Sequence, residues 1–344
     1  MQILGIETSC DETAAAVVTD KREIKSNILR TQMQEHMPYG GVVPEVAARS
    51  HMETLEEIVR EALDKAGTDL KSLDGIAVTA GPGLIGGVMV GLMMAKSIAA
   101  VHNLPFLAVN HLAGHTLTPR LTHDIPFPYL LLLVSGGHTQ LLVVRDATHF
   151  ELLGTSIDDA VGEAFDKSAR LLGHPYPGGP VIEKYAKNGD EKAYDFPRPL
   201  ISRRAHQHSP YTFSLAGLKT AVRTEIQNHG DTISNQAKSD VCASFQAAVG
   251  DILSNRTQHA ITYCKDNDIP IKNLVVAGGV AANTYLNQRL QSIAEKNTLS
   301  FVAPPVALCT DNGAMIAWAG IEKLRAGLVD TLDFAPRARW PLAE

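Results

Sequence analysis

Ile3-Leu4-Gly5-Ile6-Glu7-Thr8-Ser9-Cys10-Asp11-Glu12-Thr13-Ala14-Ala15-Ala16-Val17-Val18 reads as an apolar run, a short polar turn and a second apolar run, the pattern of a β-hairpin. The same design returns after Tyr129. Leu130-Leu131-Leu132-Leu133-Val134 is followed by Ser135-Gly136-Gly137-His138-Thr139 and then by Leu141-Leu142-Val143-Val144. The two units lie roughly 130 residues apart and share pattern rather than identity. A repeat of this kind predicts a duplicated architecture, two α/β lobes that each open on a phosphate-facing hairpin.

Outward from the hairpins, periodicity and punctuation predict the remaining elements. A helix is expected over 46–66, with Pro44 near its start and Gly67 at its end. A strand over 75–79 leads to the turn Gly81-Pro82-Gly83, a glycine-bearing helix over 84–100, a turn and strand over 103–109, and a helix over 111–121. In the second half, 157–172 reads as a helix, 175–180 as an irregular loop, 187–208 as a surface loop and 239–265 as a long helix. A strand over 273–277 ends at Gly278-Gly279, and the next helix starts near Ala282. No low-complexity linker divides the chain. The expectation is therefore two duplicated, interlocked lobes with an interlobe cleft: 1–120 joined by 324–344, and 121–323.

With 344 residues, 45% hydrophobic and 20% charged, the chain suits a soluble enzyme of one large or two medium domains. The start lacks the basic and apolar regions of a secretory signal, and the longest apolar stretch, 84–101, is interrupted by Lys96 and reads as a buried helix. Cys10, Cys242, Cys264 and Cys309 are scattered without a CxxC pair, which argues against a disulfide framework or zinc knuckle and for the cytoplasm. A net charge of −6 argues against a stand-alone nucleic-acid binder; a local basic patch or a basic partner would have to supply the field.

Several residue groups could carry chemistry. His111 and His115 at i, i+4 project from one helix face and can bind one metal, although two unrelated polar contacts would look the same. A metalloprotease helix needs Glu directly after its first His, and Leu112 stands there. A third ligand must come from elsewhere, and Asp311, beside Cys309, Thr310 and Asn312, is a candidate. The glycine pairs at 136–137, 178–179 and 278–279 could bring backbone N–H groups to a phosphate; each alone is also an ordinary turn. None fits the P-loop or the dinucleotide fingerprint. Asp158, Asp159, Glu163 and Asp166 line a predicted helix, as a solvated face or, for Asp166, as a ribose ligand. Asp11 and Glu12 could orient a metal or water, with N-capping as the alternative. Arg203-Arg204, Lys219 and Arg223 could touch phosphate or be scattered surface cations.

Taken together, the chain resembles the bacterial branch of the tRNA N6-adenosine threonylcarbamoyltransferase family. The stretches that carry the likeness are 5–13, 40–45, 79–84, 111–115, 134–140, 156–167, 176–180, 213–220, 277–283 and 309–317, continuing to Arg337-Ala338-Arg339-Trp340-Pro341. The resemblance implies the actin and Hsp70-like ATPase fold. It implies transfer of the threonylcarbamoyl group of threonylcarbamoyl-AMP to N6 of the adenosine 3′ of the anticodon, in tRNAs reading codons that begin with A, with release of AMP. It also implies one divalent metal, Fe2+ ahead of Zn2+, on His111, His115 and Asp311. The adenylate would lie on Leu133, Val134, Ser135, Gly136, Gly137, Asp166, Gly179, Glu183 and Asn283. Archaeal and eukaryotic relatives carry a tyrosine metal ligand where this chain has Leu133, which leaves a fourth position to substrate or water. His138 and Glu12 are the candidates for general base. The implied partners are tRNA, a smaller paralogue of the same fold and a P-loop ATPase, with no membrane. The rival readings are a non-catalytic actin-fold ATPase scaffold of the same modification complex and a small-molecule kinase. The scaffold type lacks the paired histidines and the Cys309-Thr310-Asp311-Asn312 stretch present here.

Overall fold

The structure, a computed structural model, describes every residue except 40, 202–207, 231, 232 and 344. Arg203 and Arg204 therefore lie outside the described residues. The first expected hairpin forms from β1 (Gln2–Glu7) and β2 (Glu12–Thr19), which pair antiparallel with Ile6 opposite Ala15. β3 (Ile24–Thr31) pairs with β2 and exposes Lys25 and Arg30, charges that suit an edge strand. After one turn of helix, α1 (Met33–His36), comes α2 (Pro44–Ala66). Pro44 occupies its first turn, and Gly67 ends it in the left-handed conformation at φ 61°. β4 (Gly75–Gly81), α3 (Ile85–His102), β5 (Phe106–Asn110) and α4 (His111–Thr122) follow. β4 runs parallel to β1 and β5 parallel to β4, and both are buried along their whole length, as parallel strands covered on two faces must be.

The second hairpin consists of β6 (Tyr129–Val134) and β7 (Thr139–Val144), with β8 (Phe150–Thr155) antiparallel beside it. Then come α5 (Val161–Leu171), α6 (Gly178–Ala186), α7 (Ala216–Asn228), α8 (Asn235–Asp266), β9 (Asn273–Ala277), α9 (Thr284–Lys296), β10 (Ser300–Val302) and α10 (Gly313–Arg325). The first sheet has the order β3-β2-β1-β4-β5 and the second β8-β7-β6-β9-β10. Directions match strand for strand, since β9 is parallel to β6 and β10 to β9. The duplication suggested by the two hairpins is thus a duplication of entire sheets.

Two compact units result, one of residues 1–124, 147–149 and 310–344, the other of 125–146 and 150–309. Each has its own apolar core, around Leu4, Ile58, Ile76 and Leu92 in the first and around Leu132, Phe165, Phe245 and Val276 in the second. The return to the first unit begins at Thr310, earlier than the expected 324. α10 is the reason. It lies on β1 so closely that a Cβ on Gly5 would strike the backbone of Ala317.

Other boundaries also differ. The helix expected over 157–172 starts only at Val161, because Asp158 is engaged in accepting the N–H groups of Leu215 (2.7 Å) and Ala216 (3.2 Å) at the start of α7. Asp158 and Asp159 consequently precede α5 rather than line it. The irregular loop stops at Pro177, and Gly178, Gly179 and Pro180 form the first turn of α6, where proline's missing N–H costs nothing. α8 begins at Asn235, capped by Ser234, and α9 at Thr284. α3 is long and apolar enough to cross a membrane by length and composition; in the fold it buries Gly87, Val88, Gly91, Leu92, Ala95, Ile98 and Ala99.

Candidate functional site

α4 grows directly out of β5. The carboxamide oxygen of Asn110, the last residue of the strand, accepts the Leu112 N–H at 2.9 Å and caps the helix. That places His111 in the first turn and His115 one turn later on the same face, with rings 4.9 Å apart and nearly perpendicular. Asp311 arrives on the segment before α10, just ahead of the N-cap residue Asn312. His115 Nε2 lies 3.0 Å and His111 Nε2 3.5 Å from Asp311 Oδ1. A tetrahedral ion with bonds of about 2.0–2.2 Å separates its ligand atoms by about 3.4 Å. The two histidine–aspartate distances bracket that spacing, and all three ligand atoms lie within 4.8 Å of one another, so the group could hold a metal ion.

Behind His111 stands a residue that sequence reasoning missed. Glu7, at the end of β1, is fully buried, and its Oε2 lies 3.0 Å from His111 Nδ1. Thr79 donates to the same oxygen, and the Ser9 N–H donates to Oε1 at 2.6 Å. Ser9 Oγ is also 3.1 Å from His111 Nδ1. A carboxylate on one ring nitrogen keeps the proton there and turns the other nitrogen's lone pair outward, the arrangement metal-binding histidines use. The signal was present in the sequence as the one acidic residue inside an otherwise apolar strand.

The acidic groups and the histidine of this corner shift one another's titration. Burial disfavours the charged His111 ring, but Asp311 and then Glu7 outweigh it and push its pKa up to about 9. Burial raises Glu7, yet His111 wins and holds the carboxyl below its usual range. For Glu12, burial and then Asp311 and Asp11 act together and push the pKa up to about 9. Glu12 opens β2 and Asp11 sits in the preceding turn, so neither caps a helix. Burial also pushes the Cys10 thiol up, which leaves it a poor nucleophile.

The other expected residues gather in the second unit. The Ser135 turn closes through Ser135 N–H to His138 O (2.8 Å) and His138 N–H to Ser135 Oγ (3.1 Å). Gly162 at the start of α5 packs on it so tightly that a Cβ would meet Ser135 O and Gly136. Gly278, at φ 92°, packs on Val134 O in the same way. Gly136, Gly137, Gly179 and Gly279 are different: a Cβ on any of them meets nothing within 4 Å. Packing gives no reason for glycine there, whereas close approach of a ligand to the backbone would. Asp166 accepts the Gly178 N–H at 2.7 Å and also bonds the Gly179 backbone, so it fixes the start of α6. Asn283 caps α9 through Leu286 N–H and donates to Gln246, while Glu183 accepts from Thr284. Leu133 and Val134 are buried in β6, backbone included, where they lie opposite Gln140 and Thr139 of β7. Asp159 is tied to Lys167 (2.8 Å) and to Lys219, which removes Lys219 from the free cations expected to touch phosphate.

Solved structures define the class first. HypF from T. kodakarensis aligns with a TM-score of 0.61 at 15% identity, over 95% of this chain and 48% of that one. Component A of (R)-2-hydroxyglutaryl-CoA dehydratase from Acidaminococcus fermentans aligns at 0.52 and 15% identity, over 95% of this chain and 100% of that one. With the repeated sheet order, these place the chain in the actin/Hsp70-like ATPase fold, and at such identity they speak to fold alone. The family model described as tRNA N6-adenosine threonylcarbamoyltransferase matches residues 23–318. Proteins of that name from Brucella canis and Brucella suis are 54% identical, over 100% of this chain and 96% of each relative. The chain belongs to the tRNA N6-adenosine threonylcarbamoyltransferase family, and is an acyltransferase that modifies tRNA.

Proposed function

We propose that the chain's two units divide the work of this transfer, the second holding the AMP part of threonylcarbamoyl-AMP and the first handling the group that moves. The observation that carries the reading is the convergence of both histidine Nε2 atoms on Asp311, with Glu7 behind His111. The donor is a mixed anhydride, so its carbamoyl carbon is already activated. Adenine N6 of the residue 3′ of the anticodon attacks that carbon, and the bond to the phosphate oxygen breaks with its electron pair leaving on AMP. His138 is the group we assign first to the N6 proton, ahead of Glu12, whose raised pKa keeps it protonated near neutral pH.

The backbones of Ser135 to Gly137 and of Gly179 would receive the phosphate and ribose, carried at the end of the strand that buries Leu133 and Val134, with Asp166, Glu183 and Asn283 fixing the helix starts beside them. When bound by His111, His115 and Asp311, a divalent ion supplies Lewis-acid polarisation of the threonylcarbamoyl group or a grip on its carboxylate. A two-histidine, one-carboxylate set suits Fe2+ and Zn2+, and we assign Fe2+ first. Leu133 offers no ligand atom, so the fourth position falls to water or substrate.

Net charge −6 supports work inside a complex, with a smaller paralogue of the same fold and a P-loop ATPase. Exposed Ile85, Met89 and Met93 along α3, with Met52 on α2, offer the adaptable apolar surface such a partner needs. Four free cysteines agree with a cytoplasmic setting. The test incubates the protein and its partners with threonylcarbamoyl-AMP and unmodified tRNA, followed by nucleoside analysis. Modified adenosine is expected, and His111→Ala or His115→Ala should abolish it; a His115→Ala protein with full activity and no bound metal would sink the assignment.

A further inference from the structure

We propose that residues 330–341 form a strap that positions the metal-binding helix through Asn110, an inference that rests on the metal reading above. The strap follows α10 and is pinned at intervals to the first unit. Asp330 donates its N–H to Phe106 O (2.9 Å), and its carboxylate accepts the Ala108 N–H (2.8 Å) and Lys323. Lys96 donates to Phe334 O at 2.7 Å. Arg337 N–H donates to Ala80 O at 2.8 Å, and Gly83 N–H to Ala338 O at 3.2 Å. The approach is so close at this point that a Cβ on Gly81 would overlap Arg337 O. The Phe334 and Trp340 rings lie 5.5 Å apart, and the Arg337 guanidinium sits 5.0 and 4.8 Å from their centroids. Both rings pack on the first unit's core.

The last pin bears on the metal site. Asn110 Nδ2 donates to Trp340 O at 3.1 Å, while Asn110 Oδ1 accepts the Leu112 N–H at 2.9 Å. One carboxamide thus caps α4 with its oxygen and holds the strap with its nitrogen. His111 is the very next residue. The first turn of a helix is where backbone donors lack partners and fraying begins. A ligand must be held within about 0.5 Å of its working position, and this one sits in that turn. The contacts at Ala80, Gly81 and Asn110 fall at the carboxyl ends of β4 and β5, where α/β sheets build their sites. The aromatic clasp of Phe334, Arg337 and Trp340 therefore sets the position of Trp340 O, which sets Asn110, which sets the direction of His111.

The experiment uses the full chain carrying Trp340→Ala, Trp340→Phe or Asn110→Ser. Serine keeps an oxygen to cap the helix and removes the arm to the strap. The first readout is amide hydrogen exchange at residues 112–116 in metal-free protein, with β1 and β2 amides as internal reference. The second is Co2+ affinity by chelator competition. Trp340→Ala and Asn110→Ser should speed exchange in that turn about tenfold and weaken Co2+ about tenfold. Reference amides should not change, and Trp340→Phe should restore both quantities. Unchanged exchange at 112–116 in Asn110→Ser overturns the proposal, even if Trp340→Ala fails to fold. Faster exchange with unchanged Co2+ affinity overturns it too. If the unsubstituted protein binds no Co2+, the metal reading fails, while the exchange data still decide whether the strap orders the helix.

Discussion

Replacing Glu7 by Gln should weaken metal binding while leaving the fold intact, and the hydrogen bonds around Glu7 show why. Three donors converge on two carboxylate oxygens: Ser9 N–H on Oε1, and Thr79 Oγ1 and His111 Nδ1 on Oε2. Glutamine has one acceptor oxygen. If that oxygen takes the Ser9 N–H, the new NH2 faces His111 Nδ1, which must then accept, and the ring proton moves to the nitrogen that should bind metal. If the oxygen takes His111 instead, the NH2 confronts the Ser9 N–H and leaves a buried donor unpaired. Loss of such a carboxylate behind a histidine ligand typically costs about tenfold to hundredfold in metal affinity, or about 1.4–2.7 kcal/mol. Ser9 Oγ, 3.1 Å from His111 Nδ1, remains as a neutral acceptor and places the expectation at the lower end, about tenfold. The assay is competition for Zn2+ or Co2+ against a chelator, with thermal unfolding of the metal-free protein as control. A Glu7→Gln protein that melts normally and binds the ion within twofold of the unsubstituted protein would refute the reasoning.

Other substitutions test other parts of the structure. Gly137→Ala and Gly179→Ala place a methyl in open space, so their stability should change by no more than about 0.5 kcal/mol, while KM for threonylcarbamoyl-AMP rises; Gly278→Ala, at φ 92° and against Val134 O, should instead destabilise by about 1–3 kcal/mol in denaturant titrations. Asp159 is held below the usual carboxylate range, since burial is outweighed by Lys167 and Lys219. Its lowered folded-state pKa means the stability it adds is complete above the unfolded value near 3.9 and is lost as pH falls through the lower one. Asp159→Asn should therefore cost about 1–2 kcal/mol at pH 7, and unfolding curves of the two proteins should converge as the pH is taken below about 4. Glu322 of α10 is buried and accepts from Arg120 at 3.2 Å, so Glu322→Ala removes a largely buried charged hydrogen bond and should cost about 1–3 kcal/mol, read as a fall in melting temperature.

Much of this fold was legible because its central strands are apolar runs closed by polar turns. Both hairpins, the strand 273–277 and the helix ended by Gly67 follow from that contrast. β3 and β8 escaped because edge strands carry exposed and charged residues, Lys25 and Arg30 in one and Glu151 in the other, and so lack the contrast. α10 escaped for the opposite reason. It is buried on nearly every side, so it shows no polar stripe to give it a period, and the boundary between units was misplaced with it. At the site, the i, i+4 spacing exposed the histidine pair, but nothing local singles out Asp311 among the acidic residues; the family resemblance pointed to it. Glu7 needed only the question of what a carboxylate does in a buried strand. Asp158, expected on the face of a helix, instead holds the start of α7, because a carboxylate's role in a cap depends on a chain segment 57 residues away.

His115 and Asp311 are 196 positions apart, and most of the intervening chain belongs to the other unit. On a ribosome adding about 5–20 residues per second, the two histidines precede the aspartate by about 10–40 s. During that interval the nascent chain displays an incomplete binding set, and β1 lacks α10, the helix that covers it. A message truncated before Asp311 would yield a chain without the third member of the set. Completion of the set is in this sense a late event of biosynthesis, open only to chains that have been read through Asp311.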